Sequence, residues 1–278
     1  LVVDFHGGPR SAWLTLASGA QRRIGYDIRG RTWMYTTVVH RPRGLHPRHS
    51  VENQWDLLAA VDPDLAGMAN PTTFRVEMPV TPDAAARVTA WLALHGIAAT
   101  GPSPRLIVMH VSAGNPFRRW PASAFADVAA GLVRQSPDRR VLVTAGPSDR
   151  DAVQRILSDA RTRAGDAAAA IINAEEFSLA DLRAMLDRSA LYIGGDSGPM
   201  HIAATSDVPI VGLYGPTLAA RSAPWRPASL TTESVDAGDL PCRPCDQRVC
   251  APGDFRCLTS IEAGTVLRAA ERILGEAS

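Results

Sequence analysis

From Arg105 onward the chain alternates short, unbroken apolar segments with amphipathic ones, and that alternation constrains the fold more than any other feature. Residues 105–111 are almost wholly apolar. A loop with Gly and Pro follows, and a helical pattern over 121–135 opens on a proline. Further apolar runs lie at 139–146, 169–173, 190–195 and 208–215. Helical patterns lie at 149–161, 178–189 and 199–206, with Ser178 placed as an N-cap. Short strands without polar alternation belong to a parallel sheet covered on both faces. Right-handed crossovers then give a doubly wound α/β domain.

The first hundred residues are less regular. Strands are expected at 1–6 and 22–26, and helices at 10–18, 50–61 and 82–96. This stretch reads as the back half of a second α/β domain, joined to the first by a linker at 96–104. A last helix, 260–275, follows a cysteine-rich segment. The expected division is therefore 1–100, 101–259 and a C-terminal helix within 260–278, and 278 residues suffice for two ordinary domains. A net charge of +1 leaves no broad basic field, so non-specific nucleic-acid binding is not expected. No apolar run approaches the roughly 18 residues a membrane helix needs. Every basic residue in the Lys+Arg total is Arg, so any cationic role falls to a guanidinium.

Two loops at the carboxyl edge of the expected sheet carry the chemistry. In the first, Gly194, Gly195, Asp196, Ser197, Gly198, Pro199 and His201 join a strand to a helix. Ligands of open α/β sheets bind at that edge. Free N–H groups at a helix start, with its dipole, suit a phosphate, and glycine permits close approach. His201, one turn in, leans back toward the same point. The alternative is a tight turn in which Asp196 caps the helix and His201 is merely surface. The second loop runs from His110 to Pro121. Ser112, Gly114 and Asn115 offer small polar or backbone contacts there, and Arg118 and Arg119 supply cations just before a helix. Paired arginines in that position also occur as a plain solvated face.

These residues carry a resemblance. The loop ending Arg118-Arg119-Trp120-Pro121, the turn Asp196-Ser197-Gly198 with His201, and Gly212–Thr217 resemble glycosyltransferase family 9, the ADP-heptose:lipopolysaccharide heptosyltransferases. Arg118 stands where the family usually has Lys. The resemblance covers essentially the whole chain. It implies a GT-B fold, with two Rossmann-like domains, the first incomplete here, an active site in the cleft between them, and a C-terminal helix crossing back to the first domain. It implies a metal-independent, inverting transfer of heptose from an ADP-sugar to the lipopolysaccharide core. That transfer would be cytoplasmic, at the inner face of the inner membrane. Ser112, Ala113, Arg118, Arg119, Asp196, Ser197, Gly198 and His201 would bind the donor. His6 and Arg10 would meet the anionic acceptor, with Arg29 and Arg31 as weaker candidates for that surface.

The family's general base, an Asp in a glycine-rich segment, is expected upstream of Leu1, so no catalytic residue is assigned. Asp4 reads as structural. An exposed, idle Arg10 weighs equally with an acceptor contact. Two other functions stay open: a nucleotide-sugar epimerase of GT-B type, and a donor-binding homologue without transferase activity. Cys242, Cys245, Cys250 and Cys257 form C-x2-C-x4-C-x6-C. That spacing permits a structural zinc knot. A loop packed by reduced cysteines and a redox-labile pair are the alternatives.

Overall fold

A computed structural model of the chain describes residues 1–40, 48–97, 105–146, 149–174 and 177–276. The chain divides into two compact units. The first comprises Leu1–Phe74 with Ala220–Ser222, and the second comprises Arg75–Ala219 with Ala223–Ser278.

In the first unit β1 (Val2–Val3), β2 (Arg23–Tyr26) and β3 (Thr37–Val39) form a parallel sheet in that order. Helix α1 (Pro9–Ala17) joins β1 to β2, and α2 (Ser50–Ala59) follows β3. Leu57 of α2 packs on Ile24 and Tyr26 of β2. Asp4, 4% exposed, ends β1. Its carboxylate accepts from the Gly7 N–H at 2.8 Å, the His6 N–H at 3.0 Å and the Tyr35 hydroxyl at 2.7 Å. Burial alone would raise its pKa, but these donors outweigh burial and hold it below the usual carboxylate range. Tyr35 lies across Gly25, where an added Cβ would fall 2.4 Å from the ring.

The second unit holds six parallel strands in the order β6-β5-β4-β7-β8-β9. They are β4 (Arg105–His110), β5 (Arg139–Thr144), β6 (Ile171–Asn173), β7 (Leu191–Gly195), β8 (Ile210–Tyr214) and β9 (Thr232–Asp236). The helices are α3 (Pro82–Leu94), α4 (Ala122–Gln135), α5 (Arg150–Ala164), α6 (Leu179–Leu186) and α7 (Gly198–Ala203). The short α9 (Arg256–Thr259) comes later and α10 (Ala263–Glu276) is last, whereas α8 (Ala219–Ser222) has only Ala219 in this unit. Strand residues alternate between two cores. Ile107, Met109, Val141, Val143, Leu191, Ile193, Val211 and Leu213 face α4, α5 and α10. Leu106, Val108, Leu142, Tyr192, Ile210 and Tyr214 face α3, α6 and α7. Burial on both faces is why these strands read as continuous apolar runs. Ser178 caps α6 as expected, in a box with Asp181: each side chain accepts from the other's backbone N–H, at 3.1 and 3.3 Å.

Two expected boundaries change. Helix α3 was expected in the first domain, but its Ala84, Val88 and Leu92 share a core with Met185 and Leu186 of α6, so the second unit begins at Arg75. Residues 98–104 of the expected linker lie outside the described residues. Helix α10, expected as a segment of its own, falls within the second unit. Val266, Ala269, Ala270, Ile273 and Leu274 join the core beneath α4. Its Glu271 takes Arg139 of β5 in a two-pronged ion pair, and the Leu274 carbonyl accepts from Arg105 of β4. Leu274→Ala should therefore destabilise the second unit by about 2–5 kcal/mol, the usual cost of a buried leucine. Urea denaturation followed by tryptophan fluorescence measures this. A change within error would show that α10 is not part of that core.

Candidate functional site

The strand order of the second sheet reverses between β4 and β7. The chain leaves these neighbouring strands toward opposite faces, and a crevice opens at their carboxyl ends. A cavity of about 260 Å³ lies there, lined by His110, Ser112, Ala113, Gly114 and Thr144 from one side and by Ser197, Gly198 and Pro199 from the other. It shares Ala145, Gly146 and Phe177 with a cavity of about 500 Å³ that extends to Trp91 and Arg150.

Asp196, 4% exposed, follows β7 and ties the surrounding loops together. Its carboxylate accepts from the Thr217 hydroxyl at 2.7 Å, stands 3.3 Å from Arg118 Nη1 and lies 3.6 Å from His201 Nε2. Its backbone carbonyl takes a second bond from Arg118 Nη1 at 3.2 Å. Burial by itself would raise the Asp196 pKa. Hydrogen bonds from His201 and Thr217 and the Arg118 charge overcome burial, so the group titrates below the usual range. Asp196 thus serves as the hub of the site rather than as the helix cap. The N-cap of α7 is Ser197, whose side chain makes no capping bond and whose hydroxyl instead donates to the Gly195 carbonyl at 3.1 Å. A Cβ on Gly195 would stand 3.3 Å from the Arg118 carbonyl, a tight contact that would press the two loops apart by a few tenths of an ångström. A Cβ on Gly198 would meet no protein atom within 4 Å.

Arg118 ends a 3-10 turn, Pro116–Arg118, that opens on Asn115. The next tryptophan anchors the loop: Trp120 is buried, donates to the Ile261 carbonyl at 3.0 Å and packs edge-on against Phe125. Arg118 Nε donates to Gln247 Oε1 at 2.7 Å. With Nη1 held by Asp196, the Nη2 edge has no hydrogen-bond partner among the described residues, and the side chain is 32% exposed. Arg119 is differently employed. It donates to the Ala113 carbonyl at 3.0 Å and pairs with Asp149 at 3.0 Å, bracing the loop from beneath.

Under the loop runs a relay that the sequence reading had not singled out. The Gly146 N–H donates to Ser112 Oγ at 2.9 Å, Ser112 Oγ lies 3.1 Å from His110 Nε2, and His110 Nδ1 lies 3.0 Å from Thr144 Oγ1. Thr144 Oγ1 donates onward to the Met109 carbonyl at 3.5 Å. A consistent direction needs neutral His110 with its proton on Nδ1. Burial pushes its pKa down to about 4, which agrees. His110, Thr144 and Gln247 join the site only through tertiary contacts. Thr217 had a local signal, the Gly-Pro-Thr turn after β8.

The remaining candidates lie elsewhere. His6 and Arg10 are exposed in the first unit, after β1 and at the start of α1. Arg31 is tied to the Gly7 carbonyl. The four cysteines are free thiols, with Cys257 buried. Among the described residues no three His, Cys, Asp or Glu side chains are gathered to hold a metal ion. No described helix is long and apolar enough to cross a membrane.

Two pH effects follow. Asp196 titrates lower when folded, so its stabilisation is complete above about pH 4 and is lost as pH falls through its depressed pKa. Asp196→Asn should cost about 1–3 kcal/mol at pH 7, and thermal melts at pH 7 and pH 3 should show that gap shrink. His110 is a base held neutral. Between its unfolded pKa of about 6.5 and about 4 the unfolded chain binds a proton that the folded chain refuses, so stability falls with pH across that window. NMR titration should find the His110 ring neutral until about pH 4. Protonation near 6.5 would break the relay as drawn.

The family model for glycosyltransferase family 9 (heptosyltransferase) matches residues 1–254. Lipooligosaccharide heptosyltransferase 2 of Campylobacter jejuni is 28% identical over 160 residues, 56% of this chain and 47% of that protein. The chain thus spans about half the length of the curated relatives it matches. A glycosyltransferase of family 9 from Veillonella parvula superposes with a TM-score of 0.73 at 22% identity, over 99% of this chain and 74% of that one. The ADP-heptose lipopolysaccharide heptosyltransferase II of Escherichia coli does so at 0.69 and 20% identity, over 99% and 76%. The likeness is one of fold and identifies the architecture as GT-B. On the match over residues 1–254, with the Arg118 loop and the Asp196–His201 turn meeting at one sheet edge, the chain belongs to glycosyltransferase family 9.

Proposed function

We propose that the second unit holds the ADP-sugar donor of an inverting heptosyl transfer to the lipopolysaccharide inner core. One observation carries this reading. Arg118, whose Nη2 has no hydrogen-bond partner among the described residues, and the imidazole of His201 flank Asp196, which directly precedes the Ser197–Pro199 wall of the cavity at the switch point, where Gly198 is exposed. In the transfer, an acceptor hydroxyl attacks the anomeric carbon and loses its proton to a base. The bond from that carbon to the diphosphate breaks, and its electrons pass to the phosphate oxygen. Negative charge therefore builds on the leaving diphosphate, where fixed cations stabilise the transition state most. Arg118, preorganised by Gln247 and Asp196, supplies that charge, and His201 stands beside it as a further ring nitrogen. The larger cavity, with Trp91 and Phe177 on its wall, accepts the base of the nucleotide.

His6 and Arg10, both exposed, are proposed contacts for the anionic acceptor, which such an enzyme meets at the cytoplasmic face of the inner membrane. Asp4 makes a poor general base, since Gly7, His6 and Tyr35 already occupy its oxygens. No metal is needed in this reading.

Calorimetric titration tests the donor site. Arg118→Ala should weaken ADP by roughly ten- to a hundredfold, the worth of a charge-assisted hydrogen bond, and leave adenosine almost unchanged. Equal losses for both ligands would mean that the loop matters for folding and not for phosphate.

A further inference from the structure

The cysteine-rich loop between β9 and α9 sends one polar side chain into the site. That loop is fastened beside the Asp196 hub: Arg243 Nη2 donates to the Thr217 carbonyl at 2.9 Å, and the Cys245 N–H donates to the Pro216 carbonyl at 3.3 Å. Two residues on, Gln247 takes φ +59°, a left-handed conformation that costs any residue with a side chain. From there its Oε1 accepts two bonds, from Arg118 Nε at 2.7 Å and from Asn115 Nδ2 at 2.9 Å. Two donors on one oxygen fix which way the amide faces. Asn115 is fixed in turn, since its Oδ1 accepts from the Phe117 N–H at 3.0 Å. Phe117 also contacts Phe255 at the far end of the cysteine-rich loop, with ring centroids 5.4 Å apart.

From this we infer that Gln247 is a positioning residue for the donor diphosphate: it orients Arg118 without neutralising it. The inference rests on the donor-site reading and adds a part to it. A guanidinium presents three edges. Gln247 holds Nε, Asp196 holds Nη1, and Nη2 has no hydrogen-bond partner among the described residues. Asp196 already sets one negative charge beside Arg118, shared with His201. A carboxylate at position 247 would set a second and cancel the cation that the diphosphate needs. A neutral amide oxygen supplies the same geometry and leaves the charge to the ligand. Chain chemistry alone does not require Gln here, because Glu would bond Arg118 more tightly.

That contrast gives a test which a merely structural tether cannot mimic. ADP and adenosine binding are measured by calorimetry on the 278-residue chain and on Gln247→Ala, Gln247→Glu, Arg118→Ala and the Arg118→Ala/Gln247→Ala double variant, with a thermal melt of each. Gln247→Ala should weaken ADP about tenfold, the worth of one hydrogen bond, with adenosine unmoved. Gln247→Glu should weaken ADP at least as much while melting no lower than the parent chain. In the Arg118→Ala background the loss of Gln247 should have no further effect on ADP. The inference is overturned if Gln247→Glu binds ADP as tightly as the parent, or if Gln247→Ala costs the same with and without Arg118. If Arg118→Ala weakens ADP and Gln247→Ala does not, the positioning role alone falls. If the parent chain does not bind ADP, the donor-site reading falls and takes this role with it.

Discussion

A carboxylate held out of water among cations and hydroxyls organises the second unit. Asp196 emerges where the strand order reverses, and the loops after β4, β7 and β8 reach it through Arg118, His201 and Thr217. Burying a charge is costly unless it is paired and hydrogen-bonded. Asp196 meets both conditions because the crossover topology delivers three loops to one edge. Removing any one partner would leave that buried charge short of a donor. The surface pair Arg256–Asp254 shows the contrast: it lies in solvent within one turn of chain and positions nothing beyond itself.

The first unit uses the same device in another form. Asp4 ends its strand and is satisfied by two backbone N–H groups and the Tyr35 hydroxyl. Gly25 leaves the space that lets Tyr35 reach it. Both buried carboxylates follow a strand, and Asp196 in addition pairs with Arg118, whose Nη2 has no hydrogen-bond partner among the described residues. Asp4 is thus tied within its own loop and sheet, whereas Asp196 joins three loops and stands where the donor diphosphate is proposed to bind.

Much of this was legible in the sequence because β4, β5, β7 and β8 are buried on both faces and left a strong pattern. Strand β9 was not, since it lies at the edge of the sheet and only Val235 among its five residues is buried. Strand β3, three residues long with none of them buried, left no pattern either. Helix α3 was located correctly but assigned to the wrong unit. Periodicity shows that a helix has an apolar face, not which sheet covers it. The two site loops were legible as strand-to-helix turns with the right polar residues. The different duties of Arg118 and Arg119 were not, because they depend on Gln247 and Asp149, far away in sequence. His110 looked like the end of a strand, and only its neighbours Ser112 and Thr144 show what its ring does.

The chain contains no lysine, so the basic side chains beside Asp196 are a guanidinium and an imidazole. Arginine keeps its proton at any pH at which a protein is folded. Arg118 can attract an anion, but it can neither hand a proton to a departing oxygen nor take one up. In the proposed transfer, a proton for the leaving group would therefore have to come from His201 or from solvent and not from Arg118. A family member with lysine at the position of Arg118 has an ammonium whose proton affinity its surroundings can tune, whereas this chain has a charge that does not vary.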